Sequence, residues 1–142
     1  MTTTPALTAT LDEDTAAVLI EALETHEAHL DQQACEHLFA PTAAARAQLR
    51  AAAARVGQLR QTVEDDQATC TVTVPLDPET YGRLSAALAS YHADQMHEAA
   101  EATQQRDDPD DGDDARRAAA TADRLHVAAI EAIQRSTEGA RA

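Results

Sequence analysis

Large apolar side chains are scarce in this chain. Leu, Ile, Val and Phe together supply 22 of its 142 residues, against a net charge of -14, a balance that usually accompanies disorder. What stands in their place is Ala, with 34 residues, the best helix former because it loses no side-chain entropy. The apolar residues that remain are periodic. The expectation is therefore a folded, helix-rich single domain over residues 1–142, with a thin core.

Other absences narrow the function. Lys is missing entirely and every basic residue is Arg, a compositional bias given no mechanistic weight. Two Cys, Cys35 and Cys70, are too few and too far apart for a disulfide framework or a paired-thiol site. The opening residues carry neither a basic region nor an apolar run, so no secretory signal is read. No segment approaches the roughly 20 apolar residues that cross a bilayer. No Gly-rich phosphate loop, nucleophile elbow or HExxH is present, so the expectation is a cytoplasmic protein that is not an enzyme and uses no cofactor.

What is present reads as strand, helix, helix, twice over. Leu7, Ala9 and Leu11 alternate with Thr8 and Thr10, a weak strand. Asp12 then caps a helix, with Glu13 and Asp14 in its first turn. Ala16, Leu19, Leu23, His26, Leu30, Gln33 and His37 follow at helical spacing to about Leu38. Pro41 breaks that helix and is placed to start the next, about Thr42 to Glu64. Its seam is Ala45, Leu49, Ala52, Val56, Leu59 and Val63; Gly57 lies off it. Cys70, Val72 and Val74 alternate with Thr69, Thr71 and Thr73, the clearest strand in the chain. Asp77 and Pro78 open a third helix to about Arg106, with Tyr81, Leu84, Leu88, Tyr91, Gln95, Glu98 and Ala102 on one stripe. Residues 107–114 carry six Asp and read as a solvated acidic loop. A fourth helix runs from about Asp114 to Thr137.

The two halves, 5–66 and 68–138, align. At an offset of 65 Leu7, Ala9, Leu19 and Leu23 meet Val72, Val74, Leu84 and Leu88, and His26 meets Tyr91. After the acidic loop the offset becomes 74, pairing Val56 with Ile130 and Leu59 with Ile133. The fold class is mainly α: a four-helix bundle of two helical hairpins about a pseudo-two-fold. Each hairpin is entered through a short strand, and the strands could pair as a small antiparallel ribbon.

Three sets of residues carry chemistry. A ribbon followed by two helices is the general plan of ribbon–helix–helix DNA-binding dimers, with Thr69, Thr71 and Thr73 as the outward residues. The helices here are about twice as long as that plan uses, and residues 1–45 hold no Arg, so little is available to neutralise phosphate. His26, His29, His37, Asp94, Glu98 and His126 could converge at one end of the bundle as a metal site, since imidazole with carboxylate suits zinc or iron. The paired Glu-x-x-His motifs of di-iron bundles are missing. Cys35 and His37 are not read as a pair, because near neighbours on a helix point in different directions.

The sequence thus points to a non-enzymatic interaction or regulatory protein that contacts other proteins through its helical surface. Its charge steers it towards basic surfaces and away from nucleic acid and membranes. Self-association is compatible with the narrow core. A DNA-binding regulator is the alternative, a metal- or ligand-binding bundle a lesser one, and an acidic mimic of DNA another.

Overall fold

The computed structural model describes residues 4–104 and 109–141. Strand β1 (Ala6–Thr10) enters helix α1 (Glu13–Cys35), which turns back as α2 (Ala43–Asp66). After a 3-10 turn (Gln67–Thr69) the order repeats as β2 (Thr71–Pro75), α3 (Pro78–Gln104) and α4 (Pro109–Arg141). Helix α1 packs along α2 and α3 along α4, and the two hairpins meet mainly through α1 and α3. This is the expected all-α architecture of two strand–helix–helix units. The strands do pair, antiparallel, with Leu7 opposite Val74 and Ala9 opposite Val72.

The repeat follows from local chemistry. Each strand runs into a helix whose first residue lies 65 positions from its counterpart, Glu13 and Pro78. Asp12 accepts the Thr15 N–H at 2.7 Å, and Asp77 accepts both the Thr80 hydroxyl at 2.6 Å and its N–H at 3.3 Å. These bonds satisfy donors that a helix start leaves unpaired, and they hold both carboxyls below their ordinary range. Inside, Leu7, Val72 and Val74 lie on the inner face of the ribbon. They join Leu19, Leu23, Val56, Val63, Leu84 and Leu88 in one core. Ala fills the positions between, which brings the helices close without large side chains.

Several boundaries differ from the sequence reading, each for a visible reason. Helix α1 stops at Cys35, because the Glu36 N–H turns back to the Gln33 carbonyl at 3.1 Å. Thr42, not Pro41, caps α2, accepting the Ala45 N–H at 3.0 Å. Thr69 lies in the 3-10 turn and Cys70 takes a left-handed φ of 58°, so β2 begins only at Thr71.

The largest correction is the acidic segment. Asp107 and Asp108 lie outside the described residues, but Asp110 to Asp114 belong to α4. Pro109 sits where a helix needs no N–H, and Asp110 and Asp111 occupy the turn that the helix dipole favours for negative charge. Asp113 and Asp114 pair with Arg116 and Arg117 at 2.9 and 2.6 Å. Gly112 sits at a tight contact: a Cβ there would lie 3.2 Å from Thr103 Oγ1 and 3.4 Å from the Ala99 carbonyl. The second-helix register moves too. An offset of 74 sends Ile130 inward, yet Ile130 is 37% exposed. One residue fewer superposes Val56 on Ala129 and Ala52 on Leu125, all buried.

Gly57 is also explained by packing. A Cβ on it would come 2.8 Å from a carboxylate oxygen of Glu27, the group that Arg60 holds at 3.2 Å across the α1–α2 seam. Replacing Gly57 by Ala gains about 1 kcal/mol of helix propensity but pushes Glu27 off Arg60, a half-buried pair contributing up to about 1 kcal/mol. The expected result is a near-neutral Gly57→Ala in the native chain and a gain of about 1 kcal/mol in a Glu27→Ala background. Urea unfolding measures both. Equal effects in the two backgrounds would show that Glu27 does not guard the glycine.

Candidate functional site

The turn between α1 and α2 carries the two most exposed large apolar side chains among the described residues. The carbonyl of Glu36 accepts from both Phe39 and Ala40, at 3.2 and 2.9 Å, and the tight loop tucks Ala40 into the interior. Leu38 and Phe39 are thereby held outward, 84% and 49% exposed. Phe39 is the only Phe in the chain, and Leu38 is the most exposed of the large apolar residues among those described. In a protein so poor in such residues, leaving two in water asks for an explanation.

Beside them lies a cavity of about 490 Å³ bordered by Cys35, His37, Arg46 and Arg50, with Ala34 and Ala40 behind. The two arginines are one turn apart on α2. Further along that helix Arg55 pairs with Asp77 and Glu79, and Arg60 with Glu27 and Glu64. Arg46 and Arg50 form no ion pair or side-chain hydrogen bond among the described residues. Both lie near the N-terminal end of α2, where the helix dipole disfavours positive charge. From His37 to Val63 there is no acidic residue to meet them. A strongly acidic protein thus carries a small basic end with apolar residues at its tip. Cys35 and His37 line the same cavity, because the helix ends between them; no hydrogen bond joins them.

The other sequence candidates are dispersed. Among the described residues no three of His, Cys, Asp or Glu stand close enough to hold a metal ion. His126 meets Ser85 at 2.8 Å between α4 and α3. His29 and Asp94 are exposed, and His37 belongs to the α1–α2 turn. Glu98 lies on α3, where His97 pairs with Glu101 at 3.1 Å one turn on. Thr71 and Thr73 do point outward from the ribbon. Thr69 does not belong to it; its hydroxyl donates to the Asp66 and Thr71 carbonyls.

A second cavity, of about 390 Å³, lies between α1 and α4, with Tyr91 of α3 at its base and Glu21, Arg117 and Arg124 around it. The Tyr91 hydroxyl donates to Glu21 at 3.2 Å. Burial and the neighbouring Glu21 charge push its pKa up to about 12, so it stays a neutral donor. His26 occupies the matching place in the first half. The position that supplies Glu21 to Tyr91 corresponds there to Ala86, and Nε2 of His26 is buried without a partner. Burial above all, then the charges of Arg83 and His29, lower its pKa.

Sequence reasoning passed over Leu38, Phe39, Arg46 and Arg50. The signal available was the acid-free stretch following an apolar pair beside Pro41. No family model matches the chain, nor does any curated protein or solved structure.

His26 gives a direct test. Its pKa is lower folded than unfolded, so the unfolded chain takes up the proton first as pH falls. Stability is then lost from about 6.5 downwards through the folded value. His26→Leu removes that loss and a buried polar atom without a partner, raising stability at pH 7 by about 1 kcal/mol. Denaturation midpoints at pH 7 and 5.5 should converge in the variant; an unchanged gap would show that His26 is not the group responsible.

Proposed function

We propose that this chain is a non-enzymatic interaction protein whose α1–α2 turn docks an acidic segment with an apolar face on another protein. The observation that carries this reading is Leu38, 84% exposed beside Arg46 and Arg50. Leu38 and Phe39 supply the area that drives association. The guanidinium groups select the partner, since a carboxylate placed between them meets two exposed cationic donors. The net charge of -14 steers the whole molecule towards basic surfaces, but that field is screened beyond about 8 Å at physiological salt. At contact range the tip carries His37, Arg46 and Arg50 against one acid, Glu36, which is engaged by Gln32 at 3.1 Å. Among the described residues no helix is long and apolar enough to cross a membrane.

The decisive comparison uses three baits in the native host: the unaltered chain, Leu38→Ser with Phe39→Ser, and Arg46→Glu with Arg50→Glu. A partner retained by the first should be lost from the second and third. Because these side chains are exposed, neither pair should shift the unfolding midpoint by more than about 0.5 kcal/mol. An identical set of partners from all three baits would sink the reading.

The paired ribbon keeps a DNA-binding alternative in view, since Thr8, Thr10, Thr71 and Thr73 face outward together. None of the ten strand residues is charged, and Asp12, Glu13 and Asp14 follow β1 directly. Phosphate contacts supply most of non-specific affinity. Fluorescence anisotropy with a random duplex at 20 mM salt (about 20 Å of screening length) should give no saturable binding. Saturable binding that weakens as salt rises would reinstate the alternative.

A further inference from the structure

The ribbon has two edges, and they are not equivalent. Leu11 donates to the Cys70 carbonyl at 2.8 Å and Leu76 to the Pro5 carbonyl at 2.7 Å. Those bonds fix the parity of the ladder: Leu7–Val74 and Ala9–Val72 are the hydrogen-bonded pairs. Ala6–Pro75, Thr8–Thr73 and Thr10–Thr71 lie between them. The backbone N–H and C=O groups of Ala6, Thr8 and Thr10 therefore point away from β2, along the outer edge of β1. None of them has a protein partner among the described residues.

The edge of β2 is blunted. Pro75 has no N–H to offer, and the Thr71 carbonyl already accepts the Thr69 hydroxyl at 3.2 Å. β1 itself carries no charged residue, no proline inside the strand and no bulge; it is five residues long and α4 packs against it. A shallow cavity of about 160 Å³ between this strand and α4, lined by Ala9, Thr10, Thr121, Arg124 and Leu125, borders the edge.

We propose that the open edge of β1 pairs with β1 of a second copy, joining two ribbons into one four-stranded antiparallel sheet. The strand is self-complementary. With a two-fold axis at Thr8, Ala6 lies opposite the second copy's Thr10, and Thr8 opposite Thr8. Each outward N–H then meets an outward C=O. The same register keeps faces consistent, placing Leu7 beside Ala9 on the inner side and Thr on the outer. Charge selects the same occupant: from Thr4 to Leu11 no residue is charged. This is a stretch where two copies of an acidic chain approach without opposed carboxylates. A two-stranded sheet is marginal and gains from further strands.

Proline tests the edge directly. Thr8 does not use its N–H within its own ribbon, so Thr8→Pro removes an outward donor while leaving the intrachain ladder in place. Sedimentation equilibrium from 5 to 500 micromolar (about 7 to 4.5 kcal/mol of association at the midpoint) should show a dimer for the native chain. Thr8→Pro should be monomeric with an unchanged helical circular dichroism spectrum. Thr73→Pro, at the matching position of the blunted edge, should remain dimeric. Should Thr8→Pro unfold, Thr8→Lys places two like charges across the axis on the exposed face and should weaken dimerisation about tenfold. A native chain monomeric at 500 micromolar overturns the proposal. So does a folded Thr8→Pro that dimerises like the native chain, or a folded Thr73→Pro that does not.

Discussion

Everything else in the molecule depends on ten residues of ribbon. Strands 65 residues apart pair in a register that puts Leu7, Val72 and Val74 on the inner face. The two helices that leave the ribbon, α1 and α3, start at the same distance from it through the same Asp cap. The ribbon thereby ties the starts of both hairpins to one register. A core with few large residues needs such a constraint. Ala seams allow helices to approach, but on their own they specify little about which register is right.

The two halves depart from their common plan where packing or polarity had to be settled locally. In the first, His26 Nε2 is buried with no hydrogen-bond partner among the described residues; in the second, Tyr91 reaches across to Glu21. In the first, the return helix carries Gly57 under the Glu27 carboxylate. In the second, Gly112 lets α4 lie against the Ala99 carbonyl of α3. Each glycine faces the partner helix of its own hairpin, against the Glu27 carboxylate in one and against the Thr103 hydroxyl and Ala99 carbonyl in the other. The hairpin ends diverge most. One closes through a short turn that exposes Leu38 and Phe39 and returns through an acid-free stretch, and the other begins its return helix with a run of Asp.

Much of this architecture could be read from periodicity and caps, because those signals are local. Asp12 and Asp77–Pro78 marked two helix starts correctly, and the alternation of Val72 and Val74 marked the inner face of β2. The errors came from features that become clear only in contact. Asp110 to Asp114 read as loop because like charges and Gly112 oppose a free helix; pairing with Arg116 and Arg117 and packing on α3 reverse the balance. The return-helix register was one residue off because Ile130 looks like a better core residue than Ala129. In the close-packed seam against α3 the smaller side chain fits. The candidate site was hidden for a different reason. His and carboxylate draw attention as chemical groups, whereas Leu38 and Arg46 become informative only when one is seen to be exposed and the other to lack an acid.

The proposed surfaces lie at opposite ends of one helix. Helix α1 leaves the ribbon at Glu13 and ends at Cys35, a span of about 35 Å at 1.5 Å per residue. The open strand edge is therefore remote from the Leu38–Phe39 tip, and neither can cover the other within one molecule. A two-fold axis at Thr8 would give a dimer two such tips, one from each copy. Two weak sites held in that way engage a partner bearing repeated acidic segments more tightly than either alone, provided the partner spans the distance. On these two proposals the uncharged ribbon and the basic tip serve one purpose: the first would bring copies of an acidic chain together where repulsion is least, and the second would present the exposed apolar pair to a partner.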